Sequence, residues 1–322
     1  MTDILLSADT ICKNFVLKGS KSKATIKAVD RVSLSLRKGE TLGLAGESGC
    51  GKSTVARLLT GLIQPDSGLI NFEGKNIAQL DQSEFQYFRR SVQMVFQDPF
   101  SSLNPRMRIG DTIAEPLLIH QRCAPSKLRE NTISLMAQVG LATDQYDRFP
   151  HEFSGGQRQR IGIARALAAQ PGVLVADEPV SSLDISIQAQ IINLLQELKH
   201  QHGLTMLMVS HDLGVLRHIS DRIAVMYLGS IVELAPAQEL FNQCHHPYSQ
   251  ALLAAIPRIH KIIQTPGKPL CSTEVPSAIN LPVGCRFHPR CPYAEDICRK
   301  ECPALIEQSP GHFAACHLSA GF

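Results

Sequence analysis

An α/β fold is predicted by three short apolar runs, each followed by a change of character. TLGLA (41–45) leads into the glycine-rich GESGCGKST (46–54) and then into VARLLTGL, which has a helical period and stops at Gly61. PGVLVADEP (171–179) is an apolar run that ends on Asp177 and Glu178. LTMLMV (204–209) reads as a third buried strand.

Length and composition bound the rest. The chain has 322 residues, enough for one large or two modest domains with a real core. It is 44% hydrophobic and 19% charged, an ordinary globular balance. A net charge of +3, with no block of five or more Lys/Arg, gives no reason to expect a nucleic-acid partner. The N-terminal MTDILLSADTICKN carries Asp3 where a secretory signal would be basic. No stretch approaches the roughly 18 apolar residues of a spanning helix. The chain is therefore expected to be soluble and cytosolic, with any membrane role supplied by partners.

The first run has the order strand, glycine loop, helix, and its loop fits G-x-x-x-x-G-K-[ST] from Gly46 to Ser53, with Thr54 following. Gly46, Gly49 and Gly51 let backbone N–H groups turn inward around phosphate oxygens. Lys52 brings a cation to the β/γ-phosphates and Ser53 a hydroxyl to Mg²⁺. Glu47, Ser48 and Cys50 complete the loop. The second run supplies the matching acids. A carboxylate at a strand end holds Mg²⁺, and an adjacent Glu can deprotonate an attacking water. Between them lies EFSGGQRQRIGIARAL (152–167), where Ser154, Gly155, Gly156 and Gln157 open a helix bearing Arg158, Arg160 and Arg165. By itself this reads as an N-cap with glycines.

SGGQ in this setting resembles the signature of the ATP-binding cassette (ABC) family. Gln97 in VFQDPF resembles its Q-loop glutamine, SSLD (181–184) with Asp184 its D-loop, and His211 in MVSHDL its switch histidine. Phe15 stands where the family stacks an aromatic ring on adenine; it lacks the hydroxyl of the usual Tyr. Ser182 replaces a common Ala. The likeness covers residues 4 to 235. It implies a P-loop NTPase cassette with a RecA-like core, an antiparallel β subdomain and a helical subdomain near 98–165. It further implies that two cassettes pair head to tail, with Ser154 and Gly156 completing the partner's ATP site. The resemblance implies ATP as the substrate, Mg²⁺ on Ser53, Gln97 and Asp177, Glu178 as the base, and Gln97 and His211 as the residues that respond to the γ-phosphate.

QDPFSSLNPRMRIGDTIAEPL (97–117) is similar to the post-Q-loop segment of oligopeptide and dipeptide importer ATPases, where it touches the permease. Read alone, Asn104, Pro105 and Gly110 make a surface turn. HPYSQALLAAIP (246–257) and EVPSAINLP (274–282) also resemble that subfamily. The implied assembly has a second, non-identical ATPase, two permeases and an extracytoplasmic solute-binding protein, at the cytoplasmic face of the bacterial inner membrane. Nickel or metal-chelate importers share this cassette, and a soluble non-transport ABC ATPase is a further alternative. The expected division is a cassette over 1–235 and an extension over 236–322, in which 236–241 and 248–256 read as short helices.

The extension turns proline-rich and then cysteine-rich: Cys285, Cys291, Cys298 and Cys302 fall within 284–303, and Cys316 follows. A cytosolic setting disfavours structural disulfides. The x5 and x6 gaps are wide for zinc, which favours C-x2–4-C, although His288, His312 and His317 keep zinc open. Packing as small hydrophobes is also open, and is the default for Cys12, Cys123, Cys244 and Cys271. The peptide-importer resemblance implies a [4Fe–4S] cluster on Cys285, Cys291, Cys298 and Cys316, with Cys302 left over. The piece from 284 to 318 is too small to hold a core of its own and needs a staple or a surface to lean on.

Overall fold

A computed structural model describes residues 3–16, 24–120, 123–256, 274 and 276–318. In chain order the first half carries β1 (Ile4–Val16), β2 (Thr25–Arg37), β3 (Thr41–Ala45), α1 (Lys52–Leu59), β4 (Ser67–Phe72), β5 (Lys75–Asn76), α2 (Gln82–Ser91) and β6 (Val92–Val95). Then come α3 (Ile109–Ile119), α4 (Leu128–Gln138), α5 (Gly155–Ala168), β7 (Val173–Asp177), α6 (Ile185–His202) and β8 (Thr205–Ser210). The remainder is α7 (Leu213–Ile219), β9 (Arg222–Tyr227), β10 (Ser230–Pro236), α8 (Ala237–Asn242), α9 (Pro247–Ala254), α10 (Asp296–Lys300), β11 (Ile306–Ser309) and β12 (His312–Ala314). The three apolar runs are strands β3, β7 and β8, every residue of them buried. Both short helices of the extension are present as α8 and α9.

The described residues divide into two compact units, made of interleaved stretches of chain. The first, chiefly Phe72–Val209, holds β6, β7 and β8 as parallel neighbours. Val173 of β7 lies opposite Val92 on one side and Thr205 on the other. The helices α3, α4 and α5 belong to this unit. Gly110 of α3 lies so near Tyr146 that a Cβ there would meet the ring at 2.3 Å, so glycine permits the approach.

The second unit, chiefly 6–35, 41–71 and 210–318, carries β3 beside β9 in parallel. Antiparallel β10 and β12 extend that ladder, and β11 edges it. The C-terminal piece therefore continues a sheet of the cassette, with Ala314 paired to Glu233. Phe287 is fully buried, edge-on to Tyr227 at 5.3 Å and beside Tyr248 at 5.5 Å. The expectation of a supporting surface is met in this way. Within this unit the extension packs with the phosphate-loop segment.

Candidate nucleotide site

In the second unit, the loop between β3 and α1 takes its shape from close backbone approaches. A Cβ on Gly46 (φ 152°) would meet Met226 O at 2.3 Å, and one on Gly51 (φ 109°) would meet Ala28 O at 2.1 Å. No L side chain fits either place. Gly49 has φ 79° at an open crest, where Ser48 is also exposed. Lys52 is buried and donates to Gly46 O at 2.7 Å and Glu47 O at 3.0 Å, curling back over the loop it ends. Ser53 and Thr54 follow, half-buried, in the first turn of α1. Cys50 is buried behind the crest, and burial pushes its thiol up in pKa. A cavity of about 150 Å³ opens beside Ser48, Gly49 and Cys50, with Leu228 and Ala278 on its other walls.

Phe15, the penultimate residue of β1, has an exposed ring. Its neighbours are anchored: Asp66 accepts from Lys13 Nζ at 2.8 Å and from Asn14 N at 2.7 Å. His211 is exposed ahead of α7, whose N-terminus Asp212 caps by accepting from Gly214 N at 2.7 Å.

In the first unit, Asp177 closes β7 and is buried. Glu178, also buried, adopts φ 45°, a left-handed backbone that is uncommon outside glycine and asparagine. Its N–H donates to Val209 O at 3.0 Å, and Ser181 N donates to its carbonyl at 3.2 Å. Gln97 Nε2 donates to Glu178 Oε2 at 3.1 Å, so two of the three residues expected to act on the γ-phosphate touch.

The signature turn is a capping box on α5. Ser154 N donates to Gln157 Oε1 at 3.0 Å, and Gln157 N to Ser154 Oγ at 3.4 Å. A Cβ on Gly156 would meet Ile187 of α6 at 2.5 Å and one on Gly155 would meet Leu183 at 3.3 Å. The signature and the SSLD stretch thus pack together, with Asp184 exposed at the start of α6. The partners of the arginines on α5 were not foreseen in the sequence. Buried Arg158 donates to Pro150 O at 2.7 Å and lies 3.8 Å from the Phe100 ring. Arg165 donates to Ser102 O at 2.7 Å. The signature helix thereby holds the stretch that follows Gln97. An arginine spacing on a helix announces charge, not the carbonyl it will find.

In the extension, burial pushes the Cys285 thiol up to about 12, with Cys298, Cys316 and Cys291 as smaller contributors in the same direction. Those are the three expected companions. Cys302 is exposed and points to Pro303 O at 3.9 Å. The nine described cysteines are free thiols; Cys271 lies outside the described residues. Among the described residues no three His, Cys, Asp or Glu are drawn close enough to hold a metal ion. The histidines that kept zinc open have oxygen partners: His288 with Cys285 O at 2.9 Å, His312 with Glu233 at 2.7 Å and His317 with Glu301 O at 2.9 Å.

Comparison with known proteins agrees with this architecture. Residues 29–181 match the ABC transporter family and residues 232–298 match the oligopeptide/dipeptide transporter C-terminal region. The chain is 51% identical over 295 residues to the oligopeptide transport ATP-binding protein AppF of Bacillus subtilis, spanning 91% of this chain and 90% of that one. It is 45% identical over 321 residues to OppF of Haemophilus influenzae, spanning 98% and 97%. The di/tripeptide transport ATP-binding protein DppF of Pseudomonas aeruginosa is 47% identical over 306 residues, spanning 94% and 93%. The dimeric post-hydrolysis structure of the cassette MJ0796 bound to ADP and Pi superposes with a TM-score of 0.65 at 28% identity, covering 72% of this chain and 99% of that one. CbiO1 from Clostridium perfringens, part of the complex cbiONQ, superposes at 0.63 and 26% identity, covering 75% and 92%. The chain belongs to the ABC transporter family, as an ATP-binding cassette ATPase that carries the C-terminal region of the oligopeptide/dipeptide transporters.

Proposed function

We propose that this chain is the ATP-hydrolysing subunit of a bacterial importer of di- and oligopeptides, bound peripherally at the cytoplasmic face of the inner membrane. The carrying observation is that its likeness to peptide-transport ATP-binding proteins runs through the extension as well as the cassette. No described helix is long and apolar enough to cross a membrane. Two permeases, a second, non-identical ATPase and an extracytoplasmic solute-binding protein complete the assembly. The cassette spans 1–235, with its helical part at 98–165, and the extension spans 236–322.

In this reading the loop N–H groups of Gly46 to Thr54 and the Lys52 ammonium receive the phosphates, and Phe15 stacks on adenine. Ser53, Gln97 and Asp177 offer hard oxygen donors suited to Mg²⁺, which supplies charge neutralisation on the phosphates. Glu178 takes the proton of the attacking water, with Gln97 orienting its carboxylate and His211 responding to the γ-phosphate. Ser154, Gly155, Gly156, Gln157 and Asp184 act on the partner cassette's nucleotide. Cys285, Cys291, Cys298 and Cys316 hold a [4Fe–4S] cluster. The donor chemistry suits it, since four thiolates are the normal complement and the main chains of Cys285 and Cys298 are joined by a hydrogen bond of 2.8 Å. Iron and acid-labile sulfide, assayed after anaerobic purification, should be near four of each per chain and be lost in Cys291→Ser.

The test of transport is reconstitution with the permeases and the binding protein in liposomes. ATP hydrolysis should rise when the binding protein is loaded with a dipeptide or oligopeptide. Stimulation by a nickel chelate but not by peptide would overturn the peptide assignment, and activity indifferent to the permeases would overturn the transport role.

A further inference from the structure

The motif leaves position 47 unspecified, yet this chain places an acid there, inside a loop that must receive a polyanion. A carboxylate so placed opposes phosphate binding by ordinary Coulomb repulsion. The fold answers it from far along the chain. Arg290 donates to both oxygens of Glu47, Nη1 to Oε2 at 2.8 Å and Nη2 to Oε1 at 2.9 Å. Its side chain is only 4% exposed against 29% for Glu47, so it is the fixed half of the pair. The guanidinium lies 5.7 Å from the centres of both the Tyr227 and Phe287 rings, and Nη1 also approaches Tyr227 Oη at 3.5 Å. The main chain of the same residue is gripped as well, because Glu47 N donates to Tyr248 Oη at 2.9 Å. Tyr248, Phe287 and Arg290 all belong to the extension.

We propose that Arg290 is a positioning residue for the phosphate loop: it cancels the Glu47 carboxylate and pins the loop, so that the Cys-rich extension sets the affinity of the site for nucleotide. The planar fork is what this requires. It matches a carboxylate oxygen for oxygen, and burial removes the solvent screening that makes surface pairs weak. The bland alternative is that the pair merely fastens the extension to the cassette. The two differ in what removal of Glu47 does, since a fastener is lost from either side, whereas a charge cancelled is no longer needed once the carboxylate is gone.

The inference rests on the ATP-site reading above, which is tested in the same experiment. MgATP binding to the full-length chain is measured by calorimetry at two ionic strengths, with Lys52→Ala as the control. Failure of the unaltered chain to bind would sink the ATP-site reading itself. If it binds, Arg290→Met should weaken Kd about tenfold, or about 1.4 kcal/mol, and Arg290→Lys, which keeps the charge and loses the fork, should weaken it by an intermediate factor. The double variant Glu47→Gln/Arg290→Met should return to within about threefold of the unaltered protein. Glu47→Gln alone leaves Arg290 uncompensated near the phosphates. It should bind about threefold tighter, with a gain that shrinks as salt is raised. An unchanged Kd in Arg290→Met, or a double variant as weak as Arg290→Met, would show Arg290 to be only a fastener. Should Arg290→Met fail to fold, Glu47→Gln decides: tighter binding upholds the proposal, and unchanged or weaker binding overturns it.

Discussion

The phosphate loop and the Cys-rich segment are both short, irregular and rich in small residues, yet most of their shape comes from opposite sources. The loop is specified by its own letters: its glycines admit the close approach of Met226 O and Ala28 O, and Lys52 reaches carbonyls five and six residues away. The segment 284–318 borrows its neighbours. Phe287 packs on rings from positions 227 and 248, Arg286 donates to Asp30 and to Leu228 O, and β12 continues the ladder of β10. A structure made locally is specified by a few adjacent letters. A structure made at a distance is specified by pairs that no window contains.

The largest expected effect separates the loop from the chemistry. Glu178→Gln should keep MgATP binding and lower phosphate release by about 10²–10⁴-fold, the usual weight of a general base. Full activity in that variant would reassign the base. A cut at the borrowed side comes next. Phe287→Ala should lower the stability of the full chain by about 3–5 kcal/mol, read as a lower urea midpoint, because a fully buried ring is lost from a cluster of three. An unchanged midpoint would mean that the segment does not lean on the cassette.

Acidity probes the same junction. Glu233 is 0% exposed and accepts from His245 N at 2.5 Å and His246 N at 3.2 Å, with His312 on its other side. Burial holds His246 down to about 4, against the opposing pull of Glu233. The unfolded chain, with its His246 near 6.5, then binds a proton that the folded chain refuses. Stability is therefore full above about pH 6.5 and falls as pH drops toward 4, by about 3 kcal/mol if His246 acts alone. Denaturation midpoints at pH 7.5 and 4.5 measure it, and His246→Asn, which keeps a cap for α9, should flatten the dependence. The smallest effect belongs to a device made locally. Ser154→Ala removes the cap of α5 and should cost about 0.5–1 kcal/mol in the isolated chain.

The same contrast explains what could be read in advance. Strands β3, β7 and β8, the glycine loop, the acids at 177 and 178 and the capping box at 154 were legible, because strand burial, phosphate binding and capping each impose a local pattern. Gln97 was picked out only through resemblance, and its hydrogen bond to Glu178 was not legible. Arg158 on the Pro150 carbonyl, Arg165 on the Ser102 carbonyl and Arg290 on Glu47 were not legible. An arginine that seeks a carbonyl or an acid 8 to 243 positions away leaves no periodic trace. The three thiols around Cys285 lie between these cases. Their spacing marked a cluster, the resemblance set Cys302 aside, and its exposure in the fold agrees with that.

The left-handed backbone of Glu178 carries a different lesson. An L side chain at φ 45° costs on the order of 1–3 kcal/mol, which glycine would not incur. Selection for a sturdier fold would thus drift toward glycine at 178, away from the proposed general base. A screen of this protein for heat resistance alone should enrich variants that still bind nucleotide and no longer turn it over.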